Sequence, residues 1–391
     1  MTAKLKKSIR TSKLVNEIQP SGIRKFFDLA TSMDNIISLG VGEPDFITPW
    51  VIREACISSL ERGYTSYTAN AGMYELRVGI ANYLRKQFQL SYNPDEEIIV
   101  TVGASEAIDI ALRAIIDPGD EVIVVEPTFV SYAPLVTLSG GKPISVATTV
   151  ESNFRLTPTQ LINAITPKTK AIMLSFPNNP TGSTMTSEEL LEIAKIVEEH
   201  DLIVLSDEIY AEMTYDGKHA SIANIKDMRE RTIIISGFSK AFAMTGWRLG
   251  FVTGPADIIS AMLKIHQYSM MCAPTMAQHA AIEALQNGME DVRKMVQSYK
   301  QRRNYIVKSF QEIGLPCHNP GGAFYAFPSI KGTGLTSEKF AEQLLLEERV
   351  AVVPGHVFGS GGEGHIRCSY ATSLDNLKEA VTRIGRFMEK L

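Results

Sequence analysis

Between Glu97 and Thr253, seven short apolar runs alternate with amphipathic stretches, and that rhythm leaves few folds open to the chain. The runs are Glu97–Gly103, Glu121–Pro127, Lys142–Ala147, Ala171–Phe176, Leu202–Ser206, Thr232–Ser236 and Arg248–Thr253. Several are rich in Ile and Val with little polar alternation, the pattern of strands covered on both faces. Stretches such as Ser105–Ile116 and Glu188–His200 have helical spacing. Strand–helix alternation of this kind predicts an α/β fold around a mostly parallel seven-stranded sheet with helices on both sides. Ligands of such sheets gather beyond the carboxyl ends of the strands. After about residue 287 the rhythm changes. A long charged helix (Glu290 to Ile313) leads to Pro320-Gly321-Gly322-Ala323-Phe324-Tyr325, then to helices near Glu338–Glu348 and after Ser373. This predicts a smaller α+β domain formed by 1–45 and 288–391 beside a large domain of 46–287, for which 391 residues suffice.

Four segments carry the chemistry: Phe176-Pro177-Asn178-Asn179-Pro180-Thr181-Gly182, Ser206-Asp207-Glu208-Ile209-Tyr210, Ser236-Gly237-Phe238-Ser239-Lys240 and Gly246-Trp247-Arg248-Leu249-Gly250. Three of them begin where strands end. They offer an amide, a carboxylate, a phenol, an amine and a guanidinium, a set that fits pyridoxal 5′-phosphate. That cofactor needs a lysine as its covalent anchor and an acid facing its pyridine nitrogen. Lys240 follows the apolar Ile233-Ile234-Ile235 by five residues and precedes Arg248 by eight; small neighbours such as Gly237 and Ser239 would let a ring approach. Apolar surroundings would lower its pKa, which suits a nucleophile and proton carrier. Asp207 ends a buried strand, where a carboxylate needs a cation or, alternatively, serves as a helix cap or structural ion pair. Tyr210 and Asn179 would bond the 3′ oxygen of the cofactor, and Glu208 reads as structural. Gly103-Ala104-Ser105 closes a strand and opens a helix, so its backbone N–H groups suit a phosphate, or the turn is a plain N-cap. Arg248, with Ser236 or Ser239, would supply further phosphate contacts. Phe129 is placed to stack on the pyridine ring or to pack in the core. Arg367, in His365-Ile366-Arg367-Cys368-Ser369-Tyr370, suits the α-carboxylate of an amino acid or a structural salt bridge.

A formal charge of −4 gives no reason to expect nucleic acid or an anionic membrane as partner. No apolar run approaches the roughly 18 residues of a membrane span. The start carries Lys4, Lys6, Lys7, Arg10 and Lys13, a basic tail without the apolar core of a secretion signal. Cys56, Cys272, Cys317 and Cys368 lie far apart without zinc spacing, which predicts no metal and a reduced, cytoplasmic protein. Gly40-Val41-Gly42 precedes Pro44 and opens no helix, so it is no dinucleotide fingerprint.

From about Ile18 to the last helix, the chain resembles a class I/II aminotransferase of the aspartate aminotransferase superfamily, the pyridoxal-phosphate enzymes of fold type I. Asn178-Asn179-Pro180-Thr181-Gly182, Ser206–Tyr210 and Gly237–Gly250 carry the likeness. The resemblance implies that Lys240 anchors the cofactor, Asp207 pairs with its ring nitrogen, and Asn179 and Tyr210 hold the 3′ oxygen. It gives the phosphate to Arg248 and the Ala104-Ser105 turn, and the substrate side to Gly40, Asn179 and Arg367. It also implies a homodimer with shared active sites, into which Tyr67 reaches from the neighbouring subunit. The implied reaction is a ping-pong transfer from an L-amino acid to a 2-oxo acid such as 2-oxoglutarate. Two positions depart from the pattern. Gly237 stands where many relatives carry a phosphate-binding serine. Ser105 stands where one aspartate-preferring branch has a lysine, which favours neutral (alanine-like) or aromatic donors over aspartate. The competing activities are a carbon–sulfur β-lyase or a decarboxylase on the same fold and a non-catalytic cofactor-sensing regulator. The segment His266–Met271 is a candidate for contact across subunits, with core packing the alternative for its methionines.

Overall fold

In the computed structural model, which describes residues 11–20, 22 and 33–391, all seven runs join one sheet. Its strands are β1 (Ile98–Thr101), β2 (Glu121–Glu126), β3 (Lys142–Ala147), β4 (Thr169–Ser175), β5 (Ile203–Asp207), β6 (Thr232–Gly237) and β7 (Gly250–Thr253). They lie in the order β1-β7-β6-β5-β4-β2-β3. Pairing is parallel from β3 through β2, β4 and β5 to β6, while β7 runs against both β6 and β1.

The uninterrupted apolar strands follow from burial on both faces. In β2, Val122 and Val124 enter a core with Leu112 and Met262, and their neighbour Ile123 enters an opposite core with Leu161 and Ile193. Each fully buried Val or Ile contributes roughly 1.5–3 kcal/mol, so the sheet is a stiff platform held from two sides. The helix Ser187–Glu199 begins at a capping box in which the Thr186 hydroxyl accepts from Glu189 N–H and the Glu189 carboxylate from Thr186 N–H. The helices Trp50–Glu61 and Tyr74–Phe88, which the sequence reading did not single out, pack on Thr275–Asn287.

The C-terminal region has the long helix Met289–Glu312, an antiparallel sheet of Val353–Pro354, Ile366–Ser369 and Tyr325–Ala326, and helices Ser337–Glu348 and Leu374–Met388. The chain reaches it early as well: Ile37–Ser38 pairs in parallel with Val350–Ala351. Of the basic start, Lys4, Lys6, Lys7 and Arg10 lie outside the described residues, and Lys13 opens the short helix Lys13–Glu17. Among the described residues, no helix is long and apolar enough to cross a membrane, and no cluster of metal-ligating side chains occurs. All four cysteines are free thiols.

The sheet also explains where the chemistry gathers. β1, β4, β5 and β6 all deliver their carboxyl ends to one edge. Because β7 is antiparallel, the chain returns to that edge to begin it, bringing Arg248 beside the ends of β6 and β1.

Candidate active site

A cavity of about 520 Å³ opens at this edge, and its lining brings together Asn179, Asp207, Tyr210, Ser239, Lys240 and Arg248 with Arg367 from the C-terminal region. Asp207, at the end of β5, is 5% exposed. Its Oδ2 accepts the Tyr132 hydroxyl at 2.6 Å and its Oδ1 the Ile209 N–H at 3.1 Å. Burial pushes its carboxyl above the usual range, against the pull of these two donors. Among the described residues it has no ion-pair partner, so the structural-ion-pair alternative is not what the fold uses; its bond to Ile209 N–H is a local turn contact, and the N-cap of the next helical turn, Ala211–Met213, is Tyr210. Glu208 beside it is structural as expected, bonded to Ser206, Ser221 and His219.

Lys240 lies under the β6 end with its Nζ donating to the Gly42 carbonyl at 2.7 Å. Burial lowers its pKa from 10.5 to about 8; nearby Arg367 and Arg248 push the same way, and Glu43 and Asp207 resist. Tyr210 shares a 2.8 Å hydrogen bond between hydroxyls with Tyr325, and burial raises its pKa further.

Gly103, Ala104 and Ser105 form the first turn of the helix Gly103–Ile115, whose N-cap residue is Val102 with no side-chain cap. Ser105 therefore lies inside the helix and is not its cap, and Ala104 and Ser105 line the cavity, where the first-turn N–H groups have no intrahelical acceptor. The Arg248 guanidinium lies over this turn: a Cβ on Gly103 would stand 2.6 Å from Nη2. Arg248 is held at φ +52°, a left-handed conformation that costs on the order of 1–3 kcal/mol outside glycine. Buried Leu249 and the start of β7 fix it there.

Across the cavity, Arg367 is 3% exposed and donates to Asn179 Oδ1 at 2.9 Å and to the Gly40 carbonyl at 2.6 Å. Its Nε has no hydrogen-bond partner among the described residues. The Tyr325 and Phe358 ring centres lie 4.6 and 4.9 Å from its Cζ. No carboxylate pairs with it among the described residues, which removes the structural salt bridge offered by the sequence.

Some expected residues stand elsewhere. Ser239 lines the cavity and Ser236 does not; the Ser236 hydroxyl faces the Glu208 carbonyl at 3.4 Å. The smallness of Gly237 serves the sheet, because it pairs with Gly250 and a Cβ would meet the Gly250 Cα at 2.8 Å. Phe129 lines the cavity and packs edge-on against Tyr132 beside the core. Tyr67 is 80% exposed and lines a separate shallow groove with Tyr64 and His279. In His266–Met271, His266 is buried against Glu106, whereas Tyr268, Met270 and Met271 are exposed, so core packing fails for the methionines. Sequence reasoning missed Tyr132, Tyr325 and the Gly42 carbonyl. Tyr325 sat in a segment read only as domain architecture, and Tyr132 follows the noted Phe129 by three residues.

A model of the family described as aminotransferase class I and II matches residues 34–384. The chain is 63% identical to the Bacillus subtilis protein YugH, provisionally named an aminotransferase, over 97% of this chain and 98% of that one. It is 48% identical to the aspartate aminotransferase of Pyrococcus abyssi, over 95% and 97% of the two chains. The crystal structure of an aromatic aminotransferase from Pyrococcus horikoshii superposes with a TM-score of 0.90 at 47% identity, covering 94% of this chain and 99% of that one.

Proposed function

The chain belongs to the class I and II aminotransferases and is an aminotransferase, and we propose that it works with pyridoxal 5′-phosphate anchored on Lys240. The observation that carries this reading is an opposed pair in one cavity: an amine whose pKa falls to about 8, and a buried carboxylate that lacks a cation among the described residues. A protonated pyridine nitrogen would give Asp207 the ion-pair contact that Lys240, near enough only to act through space, does not make, and Tyr132 already orients the carboxylate. The N–H groups of the Gly103–Ser105 turn, Arg248 and the Ser239 hydroxyl suit the phosphate, and Asn179 and Tyr210 the 3′ oxygen. Bound there, the cofactor supplies an electron sink for the pair left on the substrate α-carbon when its proton departs.

The residues of the chain do the rest. Arg367 binds the α-carboxylate and, with Gly40 and Asn179, sets the substrate's orientation. Lys240, neutral in part near pH 7, would hold the α-proton and pass it on within the cavity. The net reaction would move the amino group of the donor, by way of the cofactor, to a second oxo acid such as 2-oxoglutarate, the donor leaving as its own 2-oxo acid. The cavity is lined by three cations, Lys240, Arg248 and Arg367, each with a role above. Among the described residues the cavity offers a distal carboxylate no further cation, which supports neutral or aromatic L-amino acids over aspartate as donors.

The exposed aromatic and methionine side chains at Tyr67, Tyr268, Met270 and Met271 support a homodimer in which Tyr67 serves the partner's phosphate site. We read 46–287 as the large domain and 1–45 with 288–391 as the small one, packed through a core that runs from Leu39 to Phe387. Four free thiols support a cytoplasmic setting. The test is the visible spectrum of the purified holoenzyme while single L-amino acids are added without an oxo acid. Conversion to the amine form of the cofactor by alanine or phenylalanine ahead of aspartate is expected. Aspartate ahead of both would overturn the donor class, and a chain that takes up no pyridoxal phosphate would overturn the cofactor.

A further inference from the structure

Glu126 ends β2 and is buried, yet it does not line the cavity. Its carboxylate has no cation partner among the described residues. Instead, Oε1 accepts the Ser145 hydroxyl at 2.7 Å, and Oε2 accepts the Ser360 N–H at 2.9 Å and the Ser360 hydroxyl at 3.2 Å. Ser360 belongs to the C-terminal region, so this carboxylate ties the end of the large sheet to the turns Gly355–Phe358 and Ser360–Gly362. Gly359 between them has φ +114°, and a Cβ there would stand 2.3 Å from Glu126 Cδ. Only glycine leaves the carboxylate its place. Two residues beyond Glu126, the Thr128 N–H donates to the Phe358 carbonyl at 2.9 Å. The β2 end therefore grips this loop on both sides of Gly359, and what the loop presents is the Phe358 ring against the Arg367 guanidinium.

We propose that Glu126 is a positioning residue for substrate carboxylate binding: it sets Phe358, and Phe358 with Tyr325 sets the plane in which Arg367 offers its N–H groups. The inference rests on the assignment of the α-carboxylate to Arg367. A planar guanidinium binds a carboxylate with two parallel bonds only in one orientation, and here two ring faces define that orientation. A charge distant from the reacting atoms would then act on affinity and leave the chemical step alone.

The experiment is steady-state kinetics of the holoenzyme with phenylalanine, alanine or aspartate as donor and 2-oxoglutarate as acceptor. The variants are Glu126→Ala, Glu126→Gln, Arg367→Leu and the double variant Glu126→Ala/Arg367→Leu, with melting of each cofactor-free chain recorded alongside. Glu126→Ala is expected to raise KM for donor and acceptor about five- to ten-fold with kcat changed less than about two-fold. Glu126→Gln falls between, since its amide oxygen still accepts from Ser360 N–H. In the Arg367→Leu background, Glu126→Ala should add nothing to KM, because the two act through one contact. If Arg367→Leu raises KM and Glu126→Ala does not, the role of Glu126 is overturned and that of Arg367 stands. If Arg367→Leu leaves KM unchanged, the assignment of the carboxylate itself has failed. An equal rise in KM with and without Arg367, accompanied by a lower melting temperature, would make Glu126 a structural tie only. Should Glu126→Ala not fold, Phe358→Leu carries the comparison, and an unchanged KM there overturns the proposal.

Discussion

The two walls of the cavity are built differently. One is the edge of the sheet, where Asp207, Lys240, Arg248 and the Gly103–Ser105 turn each sit within a few residues of a strand end. Backbone pairing places them, so each is embedded in a short contiguous motif. The other wall is assembled from Gly42, Tyr325 and Arg367, with the Gly40 carbonyl behind Arg367, and these groups are far apart in the chain. Ring stacking and carbonyl contacts place these groups. The difference teaches that the first wall should govern whether the reaction occurs, and the second how well the substrate is held.

The strongest way to break this division is Lys240→Ala. It should lower turnover by on the order of 10⁴-fold, with loss of the proposed covalent anchor and proton carrier, as measured by coupled assay on the holoenzyme. Turnover at the wild-type rate would erase the distinction at once. Asp207→Ala should lower kcat about 10²–10³-fold and weaken cofactor retention on gel filtration, the range found for loss of one preorganised electrostatic partner. On the opposite wall, Arg367→Leu should raise the donor KM about 10²-fold with a much smaller change in kcat. A matching fall in kcat would show that the second wall shapes the transition state too. Tyr132→Phe sharpens the picture from behind: removal of the 2.6 Å donor to Asp207 should weaken cofactor binding about ten-fold, read by equilibrium titration.

The smallest effect is one of pH. Lys240 is protonated below its pKa of about 8 and neutral above it, and only the neutral amine attacks the carbonyl of the cofactor. Capture of pyridoxal phosphate by the cofactor-free chain should therefore speed up as pH rises through about 8 and level off above it. A rise that continues toward 10 would mean that burial does not perturb the amine.

The same contrast explains what the sequence made legible. Six of the seven strands were readable because burial on both faces leaves Ile and Val nearly uninterrupted, as in Thr232–Gly237, whereas the edge strand Lys142–Ala147 is largely exposed. Ser373, whose hydroxyl accepts from Asn376 N–H, marked the start of the last helix. Asp207, Lys240 and Arg248 were readable for the same local reason. Gly42 was not, because its contribution is a carbonyl, which no side chain announces. Tyr132 and Phe358 act on Asp207 and Arg367 through contacts that exist only once the chain has folded. Gly237 was misread because a small residue between strand and lysine looks the same whether it admits a ligand or, as here, a neighbouring strand.

The reversed strand β7 has a consequence for how such a chain can change over time. Lys240 and Arg248 sit on one loop that leaves β6 and comes back to start β7, with Gly237 and Gly250 touching at its neck. The loop's length sets the separation of the two cations, and its neck admits no side chain. The two cations, and with them the anchor and anion grip proposed above, are therefore inherited as a single cassette: insertions elsewhere on the surface are absorbed locally, whereas one residue gained or lost between Gly237 and Gly250 would misplace both at once.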